Sequence, residues 1–527
     1  MPVLFTLSMG LGINYLVIDD DMMAMLPETL DSRISWDAVQ DEFGSTEVIF
    51  IAFGNKGKTV YSSETFSLLW DLTKALENVN QVEEVSCITT ISRIDSEDGF
   101  MEISDLQPER DLTPPQIDKI KEYLENNPTI KKRAVSESEE YFNIMVQPYE
   151  DIPHDIMRDV VVTVGDSILS ADYEIHYGGT AYITGSVPTM IRNDITILLR
   201  VGLFIMAIVL MVNLRNPFAV IMVFSVIIQS LVVMAGFMGW MVFMTGSERF
   251  YFTIVNSSMP IILLTIANSD GVHFVAKFFK EMRNKKDAKQ SVEVTMDTLL
   301  VPIFLTSLTT MAAFLSLSFA PIKQLMGYGI CISVGIAHAF VLSSTFLPAA
   351  ISLKKWDMNS KAVTRPSIFE SLITYFGKTV SNNPKLILGS GVLIATAGII
   401  GLLYLKVDVN IASFFRQGTE FRDSIDFIDQ EMTGTMDIRV RLEGSMKNPR
   451  TLNEIVNLQD MLENNKKVTT SFSIADVVKQ MHRVVMDDDP DFETIPEDQG
   501  KVNNLFSMYS MSGDPEDFSA LVDYEYS

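Results

Sequence analysis

Long apolar runs alternate with polar, acidic stretches along the 527 residues of this chain. A helix needs about 20 apolar residues to cross a bilayer, and a run of roughly 17 is the shortest that can do so. We therefore expect seven membrane-spanning helices, at residues 2–18, 196–213, 218–244, 253–276, 299–319, 326–353 and 386–405. The first run is not a cleavable signal peptide, because three aspartates at 19–21 stand where a small-residue cleavage site would be.

The stretch between the first two runs has the pattern of an α+β domain. Short apolar strands alternate there with amphipathic helices, and a charged insertion, whose helix opens at Pro114 and Pro115, divides them. The order is strand, helix, strand, insertion, strand, helix, strand, which is that of a ferredoxin-like unit. The expected elements are strands at 48–53, 82–89, 141–146 and 173–177 and helices at 64–79 and 152–169.

The composition agrees with a division into apolar and acidic parts. The chain is 47% hydrophobic with a mean hydropathy of +0.20, yet its formal net charge is -26. This charge argues against nucleic acid as a partner, because a phosphate backbone requires a basic surface.

Cys87 lies in an acidic stretch and Cys331 in an apolar one, so we expect no disulfide between them. Neither metal-ligand spacing nor a phosphate-binding loop is present in the sequence, and we expect no cofactor.

Basic residues cluster in two of the loops that connect the spans, at 277–298 and at 354–385. Loops rich in Lys and Arg face the cytoplasm. We therefore expect these loops inside, and both acidic domains outside, a cytoplasmic (inner) membrane. The second loop also carries an apolar helical face, formed by Ile368, Phe369, Leu372, Ile373 and Phe376. This helix either lies along the cytoplasmic membrane interface or packs on the bundle as a linker.

The beginning of the chain is repeated near its end. Residues 15–53 align without gaps on residues 404–442, and the shared residues include Arg33 with Arg422 and Asp37 with Asp426. We therefore expect a second copy of the acidic domain after the seventh span, with a strand at 437–442 and a helix at 452–464. Only part of a second ferredoxin-like unit follows. The chain is then either a fragment of a longer protein, which we favour, or a half-size transporter.

The fourth span carries polar side chains at membrane depth, namely Asn268, Ser269, Asp270 and His273. An ionisable group at the centre of a bilayer costs about 2.5–3.5 kcal/mol on insertion scales, and such groups mostly mark ion or proton pathways. Asp270 and His273 lie three residues apart and share a helical face. We expect them to form a proton relay. The alternative is a polar pair that only fixes the packing of neighbouring helices.

Five stretches of the sequence resemble one superfamily of transporters. They are the acidic exit of the first span at 19–27, LRNP at 214–217, the Asp-x-x-His stretch at 267–273, LTSLTTMAAFLSL at 305–317 and FLPA at 346–349. The first copy of the repeat has six spans with a large domain after the first of them, and the seventh span begins the second copy. In this arrangement the chain resembles the resistance–nodulation–division (RND) superfamily, in its hydrophobe-exporter and sterol-sensing-domain-like branch. The resemblance implies that Asp270 carries protons and that the substrates are lipid-like or amphiphilic.

One position departs from the pattern of this branch. Many relatives have an Asp-Tyr pair on the fourth span, whereas Gly271 follows Asp270 here. We expect Thr306, Thr309 and Thr310 of the fifth span to provide a hydrogen-bond partner for the carboxyl group, because they lie on one helical face. A threonine stripe that only packs helices is the alternative.

The fold expected from these observations is a membrane α-helical bundle of seven spans with α+β, ferredoxin-like extracytoplasmic domains. Its parts are a first membrane helix (1–18), a porter-like domain (19–195), a five-helix bundle of sterol-sensing type (196–353), a cytoplasmic linker (354–385), a seventh helix (386–405) and an incomplete second extracytoplasmic domain (406–527).

The expected function is export of hydrophobic or amphiphilic substrates driven by the proton-motive force. Two alternatives remain: a lipid- or sterol-sensing regulatory or scaffold protein, and an accessory half-module of protein secretion. An enzyme is not expected, because no nucleophile–base or metal constellation stands out. The expected partners are a small amphiphile or lipid, protons, the membrane, and either a missing C-terminal half or further copies of the chain.

Overall fold

The computed structural model describes residues 2–19, 26–97, 100–149, 152–169, 172–366, 368–406, 415–436, 438–465, 468–513, 518 and 521–523. The chain divides into two compact units. The bundle unit comprises Met1–Pro27 and Val187–Val409. The sheet unit comprises Glu28–Ser186 and Asn410–Ser527.

Helices dominate the described part of the chain. The strands are β1 (Ile49–Gly54), β2 (Val82–Ser86), β3 (Ser92–Glu97), β4 (Phe100–Asp105), β5 (Tyr141–Pro148) and β6 (Glu174–Gly178). The helices are α1 (Pro2–Gly10), α2 (Asp31–Phe43), α3 (Ser63–Glu77), α4 (Pro114–Asn126), α5 (Pro128–Ala134), α6 (His154–Ile168), α7 (Thr180–Leu214), α8 (Pro217–Thr245), α9 (Met259–Lys285), α10 (Ala288–Leu315), α11 (Lys323–Val341), α12 (Leu347–Leu353), α13 (Lys361–Thr364), α14 (Ile368–Asn382), α15 (Pro384–Leu402), α16 (Glu420–Glu431), α17 (Pro449–Glu463), α18 (Ile474–Val485) and α19 (Gln499–Ser512).

The sheet unit is built on four antiparallel strands in the order β2-β5-β1-β6, as far as the structure describes it. Successive side chains of a strand point to opposite faces. Ile49, Ile51 and Phe53 of β1 therefore share one face, where they are fully buried together with side chains of α3 and α6. The four strands and two helices expected from the apolar pattern are confirmed. The insertion adds the β3–β4 hairpin and the helices α4 and α5.

The helix α16 covers the opposite face of the same sheet. Its residues Ile428 and Met432 form a buried cluster with Ala52 of β1 and Tyr141 of β5. Gly178 of β6 makes room for this helix, because a Cβ atom there would lie 2.6 Å from Ile428 Cδ1. Residues from the second copy of the repeat thus complete the core of the first copy.

The repeat is visible in matching ion pairs. In α2, Arg33 binds Asp37 at 2.7 Å, and in α16, Arg422 binds Asp426 at 2.8 Å. Both are pairs one helical turn apart, at aligned positions. The expected helix at 452–464 is also confirmed by α17.

The expected strand at 437–442 is wrong for its described residues, 438–442, which have no regular secondary structure. Ile438, Val440 and Leu442 align with the buried Ile49, Ile51 and Phe53 of β1, yet they are 87%, 52% and 39% exposed. A strand is stabilised by its neighbours. β1 lies between β5 and β6, and no counterpart of these two strands is found among the described residues after 442.

The bundle unit contains six helices that are long and apolar enough to cross a membrane, counted over the described residues. They are Thr180–Leu214, Pro217–Thr245, Ile254–Lys285, Ala288–Phe319, Lys323–Leu353 and Pro384–Leu402. The seventh expected span, at the first run, is not confirmed by these helices. That run forms α1, of nine residues, and a short 3₁₀ helix, Leu11–Tyr15. α1 extends about 14 Å and the 3₁₀ helix adds about 10 Å, against a hydrocarbon thickness of about 30 Å.

Capping residues fix the ends of the membrane helices. The side chain of Asn216 accepts a hydrogen bond from the Ala219 backbone N–H (3.1 Å) at the start of α8, and Pro217 occupies the first turn. Gly246 ends α8 in a left-handed conformation (φ 62°), which glycine adopts without strain. At the start of α10, Asp287 accepts a hydrogen bond from the Gln290 N–H at 2.8 Å. These caps determine where α8 begins and ends and where α10 begins.

Candidate functional site

The site is organised on α9, the helix that carries the polar residues of the fourth predicted span. Its buried face includes Leu263, Ala267, Asp270 and Phe274, which recur every three or four residues as a helix requires. Asp270 is 9% exposed. Its carboxyl group therefore lies among the apolar side chains of the bundle core.

Ser307 of α10 is the hydrogen-bond partner of this carboxyl group. Its hydroxyl donates to Asp270 Oδ2 at 3.1 Å. α10 contributes a narrow buried stripe, made of Ser291, Thr295, Ile303 and Ser307 at intervals of four or eight residues. Small side chains in this stripe allow the two helices to approach closely.

The glycine after Asp270 lets α9 approach two further elements. A Cβ atom on Gly271 would lie 3.3 Å from a methyl group of Val223 in α8 and 3.7 Å from one of Leu347 in α12. A tyrosine at this position, as in many relatives, would not fit without displacing these neighbours. With glycine at position 271, the helices pack closely around the carboxyl group, but the side chain that could form a hydrogen bond to it is absent.

The other polar residues of α9 point away from this contact. Ser269 and His273 are exposed on the surface of the chain, and Asn268 is partly buried. Asn268 Oδ1 is buried without a hydrogen-bond partner among the described residues. His273 makes no hydrogen bond to Asp270 within the part of the chain that the structure describes. The geometry thus separates a buried acid from an exposed imidazole on one helix.

The three threonines of α10 turn their hydroxyl groups to their own helix. Thr306 donates to the Ile303 carbonyl (2.9 Å), Thr309 to that of Leu305 (2.9 Å) and Thr310 to that of Thr306 (2.7 Å). The partner of Asp270 that we expected among them is instead Ser307, which lies between them in the sequence. Neighbouring positions on a helix are about 100° apart, so Ser307 faces α9 while Thr306 does not.

A second polar cluster in the bundle unit was missed in the sequence. His338 of α11 is buried, and its Nε2 lies 2.9 Å from Thr6 Oγ1 of α1. The same Thr6 hydroxyl also lies within hydrogen-bond distance of the Pro2 carbonyl (3.1 Å) and of Gln229 Oε1 (3.4 Å), so these groups form one polar cluster. The sequence does contain a signal for this cluster, because His338 is a single ionisable residue inside the apolar run at 326–353. Asp270 was selected by the same criterion, an ionisable residue inside an apolar run.

Charged groups gather towards the C-terminal end of α9. Lys277 binds Glu281 at 2.9 Å, and Arg283 binds Glu370 of α14 at 2.9 Å. The latter pair fixes the linker helix α14 to α9.

Within the described residues, no three His, Cys, Asp or Glu side chains are grouped closely enough to hold a metal ion.

Six long apolar helices with a buried carboxyl group between two of them define a multi-pass membrane protein. Residues 24–385, more than half of the chain, match the MMPL family. The chain therefore belongs to the MMPL family, which lies in the RND superfamily, and the resemblance noted in the sequence is confirmed. Members of this family are transporters, and membership indicates a membrane exporter of lipid-like substances.

A relative from Methanocaldococcus jannaschii, whose name describes it only as a membrane protein, is 22% identical over 324 residues. The match covers 60% of this chain and 80% of that protein. This similarity supports the assignment to a membrane-protein family and specifies no substrate.

Proposed function

We propose that the protein is an exporter of hydrophobic or amphiphilic, lipid-like substrates, driven by the proton-motive force across a cytoplasmic membrane. The observation that carries the proposal is the carboxyl group of Asp270, buried in the bundle core with the Ser307 hydroxyl as its hydrogen-bond partner. No cation is within ion-pair distance of this group among the described residues. Its charged form therefore has little to stabilise it, whereas its protonated form is neutral.

A serine suits a carboxyl group that changes its protonation state. The hydroxyl of Ser307 can donate to a carboxylate and can also accept from a carboxylic acid. A lysine or arginine would stabilise only the charged form. Asp270 and Ser307 can thus remain hydrogen-bonded in both states while the charge between α9 and α10 changes.

The change of charge would drive the transport cycle. When Asp270 is protonated, the cost of burying a charge disappears, and α9 and α10 can pack more closely. When it is deprotonated, that cost favours an arrangement in which water reaches the carboxyl group. Two such arrangements, each favoured by one protonation state, are what a proton-coupled transporter requires.

His273, Ser269 and Asn268 would serve the passage of protons to and from Asp270. His273 is exposed one turn away on the same helix, and its imidazole ring has two nitrogens that can donate or accept a proton. Asn268 offers a buried amide oxygen without a partner among the described residues. In this arrangement Asp270 is the carrier, and His273 exchanges protons with the adjoining aqueous side.

We further propose that the sheet unit is extracytoplasmic and handles the substrate. Its strand order and antiparallel pairing support the ferredoxin-like fold expected from the sequence for its first copy. The exposed polar side of α9 would face a partner bundle, supplied by a further half of the protein or by another copy of the chain.

Loss of the hydrogen bond alone should slow export without abolishing it. A buried hydrogen bond contributes about 0.5–1.5 kcal/mol, so Ser307→Ala should reduce the export rate roughly three- to tenfold. The matched control is Thr310→Val, which removes a hydroxyl that bonds only to its own helix. Export should be measured in vesicles with an imposed pH gradient. A larger loss in the Thr310 variant than in the Ser307 variant would contradict the assigned partner.

The orientation of the chain gives a separate prediction. Glu64 in the sheet unit and Lys289 at the start of α10 are exposed, and the natural cysteines are both buried. In intact cells, a membrane-impermeant thiol reagent should label Glu64→Cys and leave Lys289→Cys unlabelled. Both variants should react after the cells are permeabilised. Labelling of only the Lys289 variant in intact cells would reverse the proposed topology.

A further inference from the structure

The contact between α16 and β6 contains a histidine in a stack of aromatic rings. The ring of His176 in β6 lies nearly parallel to that of Phe427 in α16, with centroids 3.9 Å apart and planes at 18°. Tyr141 of β5 meets Phe427 edge-on, with centroids 4.6 Å apart. His176 thus belongs to the surface by which α16 covers the sheet.

Hydrogen bonding of His176 is incomplete in this position. Its Nδ1 lies 3.5 Å from the hydroxyl of Ser424, at the limit of a hydrogen bond. Its Nε2 is buried and has no hydrogen-bond partner among the described residues. A neutral imidazole can leave this nitrogen as an unprotonated acceptor. A charged imidazolium would place an N–H group there, and a buried donor without an acceptor is costly.

The surroundings of His176 act on its protonation in opposite directions. Burial lowers the pKa of His176, whereas the carboxylates of Glu174 and Glu420 raise it, and burial has the larger effect. Glu174 accepts a hydrogen bond from the Tyr141 hydroxyl at 2.6 Å, and burial raises the pKa of that hydroxyl. The neighbouring strand β1 carries no titratable side chain. The other charged residues on α16 are Arg422, Asp423, Asp426, Asp429 and Glu431, of which Arg422 and Asp426 pair with each other.

We infer that His176 is a proton-sensitive latch that holds α16 on the sheet when it is neutral and weakens that contact when it is protonated. The helix α16 belongs to the second copy of the repeat and follows the last membrane helix, α15, in the chain. The latch therefore sets how firmly the segment after that helix is docked on the first copy's sheet. This inference depends neither on Asp270 nor on the transport of any substrate.

The direction of the pH effect follows from linkage. In the docked state the pKa of His176 is lowered, whereas in an undocked state it takes its ordinary value of about 6.5. The undocked state therefore binds a proton first as the pH falls. Docking is at full strength above about pH 6.5 and weakens below it, by at most about tenfold per pH unit for one proton.

Hydrogen–deuterium exchange of the full chain in lipid nanodiscs tests the latch without a substrate. Exchange of peptides from α16, corrected for the intrinsic effect of pH, should accelerate about three- to tenfold between pH 7.5 and 5.5. Peptides from α3, which covers the other face of the sheet, serve as the internal control and should not change. His176→Phe keeps an aromatic ring that cannot be protonated, so its α16 should exchange independently of pH.

A second variant separates the histidine from its acidic neighbours. Glu420→Gln removes a carboxylate that favours the protonated histidine, so the acceleration should persist in this variant and extend to lower pH. If the effect came from protonation of Glu420, this variant would lose it. The latch is refuted if α16 exchanges at the same rate at both pH values in the unaltered protein, or if His176→Phe keeps the full acceleration.

Discussion

Replacing Asp270 with asparagine should abolish export while leaving the protein folded in the membrane. Asparagine has the size and shape of aspartate and can still accept a hydrogen bond from Ser307, so the packing between α9 and α10 is preserved. It cannot bind or release a proton, and the change of charge that would favour one helix arrangement over the other is lost. The measurement is export of a fluorescent phospholipid from vesicles with an imposed pH gradient, which should fall to the level of vesicles without protein.

The matched control is Asp297→Asn, which makes the same change at an exposed carboxylate of α10. It should export at the rate of the unaltered protein. Normal export by the Asp270 variant would remove the carboxyl group from the mechanism. The bundle would then be better explained as a lipid-binding regulatory or scaffold protein, the alternative that the sequence leaves open.

The second large effect is expected where the first helix meets α8. Gly12, Gly236 and Gly239 bring the two backbones into contact, because a Cβ on Gly236 would overlap the carbonyl oxygen of Met9 and one on Gly239 that of Gly12. The overlapping atoms belong to the backbone and cannot rotate away. Gly236→Leu should therefore displace α1 and cost about 3 kcal/mol or more, the upper range for an overpacked core. It should also separate Thr6 from His338.

Thermal unfolding followed by tryptophan fluorescence checks this prediction, since Trp240 donates a hydrogen bond to the Ser8 carbonyl at this contact. The control is Gly202→Leu in α7, where a Cβ would meet no atom within 4 Å. The melting temperature of the Gly236 variant should lie well below that of the unaltered protein. The melting temperature of the Gly202 variant should equal that of the unaltered protein. Equal melting temperatures for the two variants would show that the packing of α1 against α8 contributes little to the stability of the bundle.

The parts of the fold that the sequence predicts correctly are those set by local pattern. Apolar runs of sufficient length identify the six long helices, and alternating or compact apolar stretches identify β1, β2, β5 and β6. The span expected at the first run is not confirmed, because apolar composition does not determine the length of a helix: α1 ends at Gly10, and a 3₁₀ helix follows. The strand at 437–442 was misjudged because its pattern is correct but its partner strands are missing from the described residues.

At the candidate site, the sequence identified the acid but not its partner. Asp270 could be found because a carboxyl group in an apolar run is costly. Choosing Ser307 over Thr306 requires the rotation of α10 about its axis, which depends on contacts with α9. The docking of α16 on β6 joins residues about 250 positions apart in the sequence, as in the contact of His176 with Ser424. A periodic pattern within either element cannot indicate such a pairing.

In the proposed function, Asp270 takes up and releases a proton inside the membrane. Infrared difference spectroscopy of the protein in lipid, between alkaline and acidic pH, observes this directly through the carbonyl band of a protonated carboxylic acid. We expect a band that is missing in Asp270→Asn and shifted in Ser307→Ala, because the serine hydrogen-bonds to this carboxyl group. Identical difference spectra for the unaltered protein and the Asp270→Asn variant would contradict the claim.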